Sequence, residues 1–451
     1  MLKTKEIYVC QNCGAQHRKW QGKCDECNSW NSMIAENIPH KLSTRSTPSS
    51  KQLDIFDLKS YDRPLVRLAS NIQELDRVLG GGIVQGSIIL LGGNPGIGKS
   101  TLLLQVVNKL SESGYKTLYI SGEESLEQIK LRATRLHTIH PSIQIATSTL
   151  LRTILTAIES DSELDFVVID SIQTLYDEEV NSSPGTVSQV RACALELTKI
   201  AKSHGVSIVL IGHVTKDGYI AGPKVLEHMV DTVLYFEGDH ANDLRVVRAV
   251  KNRFGAVNEI GVFEMSEIGL AEVPNPSSIF LPTRQKSIAG STIFASMEGS
   301  RPILLEIQAL VVPSFLAIPR RSTVGWDSNR LAMMIAILSS SFGLNLLDKE
   351  VYLNVTGGLK ISEPGVDLAV VAALISAASN IPIDYNTVFI GEVGLSGEVR
   401  QTALLESRLN EAYRLGFTKA IVPASIKNIA CKISIFPIAH IKELKKTLST
   451  L

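Results

Sequence analysis

The sequence predicts an α/β chain in three parts: a short cysteine-bearing module, a core on a parallel sheet, and a second αβ domain. Three observations predict it. Four cysteines fall in two close pairs near the amino end, a glycine-rich stretch lies between a strand pattern and a helix pattern, and further apolar runs then alternate with helical patterning. At 451 residues the chain exceeds what one small core holds, so two or three domains are expected.

The ribbon, residues 1–38, rests on Cys10, Cys13, Cys24 and Cys27, a CxxC pair followed by ten residues and a second CxxC. This is zinc-ribbon spacing, because each turn presents two thiolates and two turns complete a tetrahedron. A module this short cannot fold on apolar burial alone, so Zn²⁺ binding, on the order of 10 kcal/mol for structural sites, supplies the free energy. Two disulfides are the alternative, which a cytosolic chain disfavours. Four thiolates close the site, giving it a structural or recognition role. Cys193 and Cys431 have no such partners and read as packing residues. Arg18, Lys19, Trp20, Lys23 and Trp30 surround the knuckle, either to touch nucleic acid or a partner protein or simply to cover the metal. Residues 39–57 are polar and aperiodic, as in a linker.

The core, residues 58–273, begins with a short amphipathic helix ending at the Gly80–Gly82 triplet. Next, Ser87 to Leu91 reads as a buried strand and Thr101 to Leu110 as a helix. Between them Gly93, Gly98, Lys99 and Ser100 fit the pattern G-x-x-x-x-G-K-[ST]. The loop Gly93, Asn94, Pro95, Gly96, Ile97, Gly98, Lys99, Ser100 and Thr101 is therefore the expected cradle for the phosphates of ATP. Backbone N–H groups and a helix amino terminus converge there on an anion. Lys99 is expected at the β and γ phosphates and the Ser100 hydroxyl on Mg²⁺.

A second strand, Lys116 to Ser121, ends in Gly122, Glu123 and Glu124, where an acid is placed to orient water. Helical patterning over Leu126 to Leu136 precedes Phe166 to Asp170, an apolar strand whose terminal Asp170 is expected to hold Mg²⁺. Ser207 to Gly212 is a further strand, leading to His213 as a γ-phosphate sensor. Alternation of strands and helices implies right-handed parallel crossovers. Two polar loops, Tyr176 to Gln189 and Lys216 to Lys224, are either functional or merely solvated.

The ribbon, GGNPGIGKST, YISGEES, FVVIDSIQ, GHVTKDG and then KNRFG at Lys251 to Gly255 together resemble the bacterial RadA (Sms) family of DNA-repair ATPases, over essentially the whole chain. The resemblance implies a RecA-like core and roles for particular residues. Glu123 matches the glutamate that activates the attacking water in RecA-like and DnaB-like proteins. His213 stands where those relatives keep a γ-phosphate-sensing glutamine. Lys251 and Arg253 match a pair that reaches the nucleotide of the neighbouring subunit.

From about Pro274 the composition turns apolar. Residues 274–451, with GGLK at Gly357 to Lys360 and GEVGLSGEV at Gly391 to Val399, resemble the α+β proteolytic domain of Lon proteases. Here Val366 aligns with the serine nucleophile and Glu406 with the lysine base, so the resemblance implies a degenerate, non-proteolytic domain. Arg320, Arg321, Arg330 and Lys349 are candidates for a DNA-binding surface, or a solvated face.

Charge excludes a globally basic nucleic-acid binder, since 45 basic residues balance 45 acidic ones and any such surface is local. No secretory apolar core follows the first residues, so the chain is expected in the cytoplasm. The uncharged run Leu331 to Leu347 and the apolar run Leu368 to Ile383 read as buried helices, without a membrane partner. The family resemblance adds single-stranded or branched DNA, the RecA recombinase and further copies of the chain, in a hexamer, as expected partners. Its implied activity is branch migration during recombination; an ATP-regulated protease and a nucleotide switch without translocation are the alternatives.

Overall fold

The computed structural model describes residues 5–11, 13–38, 64–213, 225–238, 243–281, 287–426 and 431–450. The expected linker 39–57 and the loop Lys216 to Lys224 lie outside them. Two compact units are present, residues 1–274 and 275–451.

The first unit opens with the ribbon, an antiparallel sheet of β1 (Lys5–Cys10), β2 (Gln16–His17) and β3 (Met33–Ile38), in the order β2-β1-β3. Its two CxxC turns share one geometry. Gly14 N–H donates to the Cys10 carbonyl at 2.8 Å and Asn28 N–H to the Cys24 carbonyl at 2.9 Å. Each turn closes on a residue with positive φ, 76° at Gly14 and 59° at Asn28, a region that Gly and Asn tolerate best.

The core follows in chain order. After β4 (Arg67–Leu68), α1 (Gln73–Val78) and β5 (Ile83–Val84) come β6 (Ile88–Gly93), α2 (Lys99–Glu112), β7 (Thr117–Ser121), α3 (Leu126–Arg135), β8 (Ile143–Thr147) and α4 (Leu151–Glu159). Then come β9 (Phe166–Asp170), α5 (Val187–His204), β10 (Ser207–His213), α6 (Val225–Met229), β11 (Thr232–Glu237), β12 (Leu244–Asn252), β13 (Ile260–Ser266) and β14 (Gly269–Glu272). Nine strands form one sheet, ordered β14-β13-β12-β11-β6-β10-β9-β7-β8.

From β8 to β11 the neighbours are parallel, as the alternation implied. From β11 to β14 they are antiparallel. The connections there are too short for a crossover helix, so only hairpin-type pairing is available.

Alternating residues of the central strands feed two cores. Ile89 and Leu91 of β6 pack with Leu102, Leu103 and Val106 of α2. Ile88 and Leu90 pack with Ile154 and Ile158 of α4 and with Val190 and Leu197 of α5. Helix α2 starts two residues before the expected Thr101, because Gly98, at φ 117°, turns the chain directly into it.

The second unit comprises α7 (Ser277–Phe280), β15 (Ser291–Glu298), β16 (Arg301–Pro313), β17 (Arg321–Val324), α8 (Ser328–Ile337), β18 (Lys349–Val355), α9 (Asp367–Ser379) and β19 (Thr387–Phe389). It continues with β20 (Glu392–Val393), β21 (Val399–Arg400), α10 (Leu405–Arg414), β22 (Lys419–Pro423), β23 (Ser434–Ile438) and α11 (Leu444–Thr450). Seven strands make a mixed sheet, β17-β18-β16-β15-β19-β22-β23. Helix α9, from Leu368 to Ile375, is buried throughout, which explains its uniformly apolar sequence. Among the described residues no helix is long and apolar enough to cross a membrane.

Val366 is fully buried just before α9, whereas Glu406 is exposed in the first turn of α10. Around them two arginines are neutralised: Arg330 pairs with the fully buried Asp367, and Arg408, itself 2 % exposed, pairs with Glu363. Arg330 is thus committed to an internal ion pair, unlike the exposed Arg320 and Arg321.

Candidate nucleotide-binding site

The strand register gathers the phosphate loop and the acids on one edge of the core sheet. Gly93 ends β6 opposite His213 of β10, and Ser121 of β7 lies opposite Asp170 of β9. The backbone of His213 thus falls between the loop strand and the Asp170 strand; its side chain lies outside the described residues.

Two glycines of the loop are constrained. A Cβ on Gly93 would lie 2.7 Å from the Phe236 carbonyl oxygen, and Gly98, at φ 117°, holds a backbone conformation that favours glycine. Asn94, Pro95 and Gly96 form the exposed crest, while Ile97 anchors it in the core. The buried Arg245 of β12 reinforces that anchor, its Nε donating to the Ile97 carbonyl at 3.1 Å.

Lys99 Nζ donates to the carbonyls of Gly93 at 2.8 Å and Asn94 at 2.9 Å, which centres its charge inside the loop. Burial pushes this ammonium below its ordinary value, while Asp170 and Glu123 pull it back up. Ser100 Oγ donates to Asp170 Oδ2 at 2.7 Å. Two hard oxygens so close are the donor set Mg²⁺ takes, whose octahedral neighbours at about 2.1 Å from the ion lie roughly 3 Å apart. Beside them Glu123, exposed, accepts from Ser171 Oγ, and the peptide linking Asp170 to Ser171 is cis. Glu123 also lines an open polar cleft with Ser121, Ser125, Thr147 and Thr149.

Lys251 and Arg253 are not part of this edge. Because β12 runs antiparallel to β11, its end returns to the start of β6, where Thr232 faces both Ile89 and Asn252. Six residues of strand, roughly 20 Å at about 3.3 Å per residue, separate that edge from the phosphate loop. No arginine side chain spans this. Arg253 instead donates to Asp231 Oδ1 at 3.0 Å. Lys251 Nζ donates to the carbonyls of Glu227 at 2.6 Å and Val230 at 2.8 Å, at the end of α6, and burial and the charge of Arg253 both lower its pKa. Asn252 and Gly255 pack on the glycine triplet: a Cβ on Gly255 would lie 3.1 Å from Cα of Gly80.

Several participants carried no motif. Tyr119, buried within β7, donates its hydroxyl to Asp170 Oδ2 at 2.6 Å. Burial, then the Asp170 charge, holds its phenol well above the ordinary value, so it remains a donor. Gln189, in the first turn of α5, pins the loop from Tyr176 onward: its Nε2 donates to the carbonyls of Asp177, Val180 and Ser182, and its Oε1 accepts from Asp177 N–H at 2.8 Å. Polar composition had marked this loop, but not its internal brace.

The ribbon forms a separate metal centre. Sγ atoms of Cys10 and Cys27 lie 3.6 Å apart, as do those of Cys13 and Cys24, and all four are within 4.8 Å of one another. Tetrahedral Zn²⁺ with bonds of about 2.3 Å requires edges of roughly 3.8 Å, so the thiols fit it. Cys10 Sγ also meets Ser32 Oγ at 3.2 Å. Trp20 and Trp30, 57 % and 72 % exposed, are largely in solvent, with Lys23 Nζ 5.8 Å from the Trp30 ring centroid. Gln11, inside the first CxxC, accepts from Val187 N–H at 3.3 Å, which ties the ribbon to the amino end of α5.

Comparison with known proteins gives three family models along the chain. One described as an AAA domain matches residues 56–219, one described as a rubredoxin metal binding domain matches 8–35, and one described as subunit ChlI of Mg-chelatase matches 327–426. The DNA repair protein RadA of Rickettsia bellii (strain RML369-C) is 54% identical over 453 residues, covering 100% of both chains. That of Bacillus subtilis (strain 168) is 48% identical over 457 residues, covering 99% of each. That of Brucella abortus (strain 2308) is 49% identical, covering 94% of this chain and 92% of its own.

Proposed function

The chain belongs to the RadA family of DNA repair proteins, and on that premise we propose that it is a ring-shaped, DNA-dependent ATPase motor. It moves on single-stranded DNA and drives branch migration of recombination intermediates in the cytoplasm, as a hexamer and together with the RecA recombinase. That it is an ATPase with ATP and Mg²⁺ at its P-loop and Zn²⁺ in its ribbon follows from the family and the sites.

In this mechanism Lys99 and the loop amides bind the β and γ phosphates, and the exposed Glu123 carboxylate accepts the proton of the attacking water. Ser100 and Asp170 would hold Mg²⁺, which would supply positive charge beside the phosphates. His213 responds to the presence of the γ-phosphate. Arg253 and Lys251 extend to the γ-phosphate bound by a neighbouring copy, which makes turnover depend on assembly. ATP between subunits brings the loop Tyr176 to Gln189 against the DNA backbone, and release shifts it.

One observation carries the trans assignment: Lys251 and Arg253 stand at the opposite edge of the sheet from the chain's own phosphate loop. The second unit serves as a non-proteolytic scaffold, because the aligned positions hold Val366, without a nucleophilic atom, and Glu406, without a basic nitrogen. Strand displacement on forked DNA tests the motor. ATP-dependent displacement is expected; DNA binding with ATP but no displacement leaves a nucleotide switch, and ATP-dependent casein cleavage overturns the scaffold role.

A further inference from the structure

At the amino edge of the core sheet one buried carboxylate joins three strands. Asp231, 3 % exposed, precedes β11. Its N–H donates to the Ile88 carbonyl at 2.9 Å, and its Oδ2 accepts from Ile88 N–H at 3.2 Å. Its carbonyl accepts from Arg253 N–H at 3.1 Å, and its Oδ1 accepts from the Arg253 guanidinium at 3.0 Å. Both the backbone and the side chain of Arg253 are thus fixed by one residue, which is itself fixed to the first residue of the phosphate-loop strand.

We propose that Asp231 is the positioning residue for the trans cation: it holds the Arg253 guanidinium in the pose in which it meets the neighbour's γ-phosphate. This rests on the reading that Arg253 acts in trans. A buried carboxylate requires compensation, and Ile88 N–H and Arg253 supply it at separate oxygens, with Lys202 Nζ at 3.9 Å from Oδ1. Arg253 gives Asp231 a single NH1 contact and remains 51 % exposed, so the rest of its planar fork faces outward. An unanchored arginine at a strand end samples many rotamers, and misplacement by about 1 Å costs on the order of 100-fold in rate. The anchor removes that loss, and because Ile88 opens the strand that ends at Gly93, each subunit's offered cation is built on the strand that carries its own nucleotide site.

Asp231→Asn tests this with shape preserved. The amide oxygen still accepts from Ile88 N–H, which turns its NH₂ toward Arg253, donor against donor. We expect DNA-stimulated kcat to fall about tenfold or more while nucleotide affinity, read with a fluorescent ATP analogue, stays unchanged. A trans defect is then separated from a local one by mixing. Lys99→Ala subunits hydrolyse nothing themselves but offer an intact Arg253, so mixed assemblies with Asp231→Asn subunits are expected to exceed the activity of either alone.

An Arg253→Ala and Lys99→Ala mixture is the control. If that control fails to complement, the trans reading itself falls. If it complements while Asp231→Asn alone turns over at the wild-type rate, or is slow without being complemented, the positioning role falls. Asp231→Glu keeps the charge and moves it by one methylene, so it carries the test should the amide variant not fold: reduced kcat that Lys99→Ala subunits complement supports the role, and wild-type kcat overturns it.

Discussion

The two edges of the core sheet are made by the same strands and differ in kind. At the carboxyl edge the polar groups come from consecutive strand ends and bond to one another: Ser100 and Tyr119 on Asp170, Ser171 on Glu123, Lys99 on its own loop. That edge is a pocket-like site with an anion cradle. At the amino edge two cations stand beside one buried carboxylate and the end of a short helix, with Arg253 half in solvent. Such an edge has charge to offer and, among the described residues, no anion cradle. A motif's chemistry thus depends on which end of a strand it occupies. KNRFG follows the phosphate loop in sequence, yet antiparallel β12 carries it to the far side.

The comparison breaks most completely at Lys99. Lys99→Ala removes the charge at the centre of the loop, and ATPase activity is expected to disappear; retention of wild-type turnover contradicts the site. Arg253→Ala attacks the other edge. Turnover is expected to drop roughly 10³-fold, within the range for a cation supplied in trans, while ATP still binds. Equal losses of binding and turnover would merge the two edges into one local effect.

Tyr119→Phe is a finer cut, confined to the carboxyl edge. It removes one of two hydroxyl donors from Asp170, a bond to a charged group worth about 1.5–3 kcal/mol, so half-maximal activity is expected at roughly tenfold higher Mg²⁺. An unchanged Mg²⁺ dependence would show that Ser100 alone holds the carboxylate. Cys24→Ser has the smallest effect on the core. Zinc content is expected to fall toward zero on metal analysis while nucleotide affinity persists; retained zinc removes the four-thiolate site.

Much of the carboxyl edge was legible because its chemistry uses side chains at fixed spacing. Gly93 to Ser100 and Phe166 to Asp170 could be read as they stand in the sequence, and so could the four cysteines, since a CxxC turn is a local geometry. Asp231 had no local signal: in VDTVLYF it looks like an acid before a strand, and its meaning comes from Ile88 and Arg253, which only sheet pairing brings beside it. Tyr119 was hidden for the opposite reason, because in a strand buried on both faces an aromatic looks like packing. The antiparallel extension β12 to β14 escaped because apolar runs do not report direction. In the second unit the sequence pointed to Val366 and Glu406, whereas the pairing of Arg408 with Glu363 and of Arg330 with Asp367 required the fold.

In the proposed mechanism a second copy of the chain completes nucleotide hydrolysis. Electron microscopy of the protein with single-stranded DNA and a non-hydrolysable ATP analogue measures this directly, through the distance from each Arg253 guanidinium to the nearest γ-phosphate. Hydrogen-bond contact, about 3 Å, is expected with the nucleotide held by Lys99 of the adjacent copy. Arg253 remote from every phosphate in an assembled, nucleotide-filled particle would contradict it.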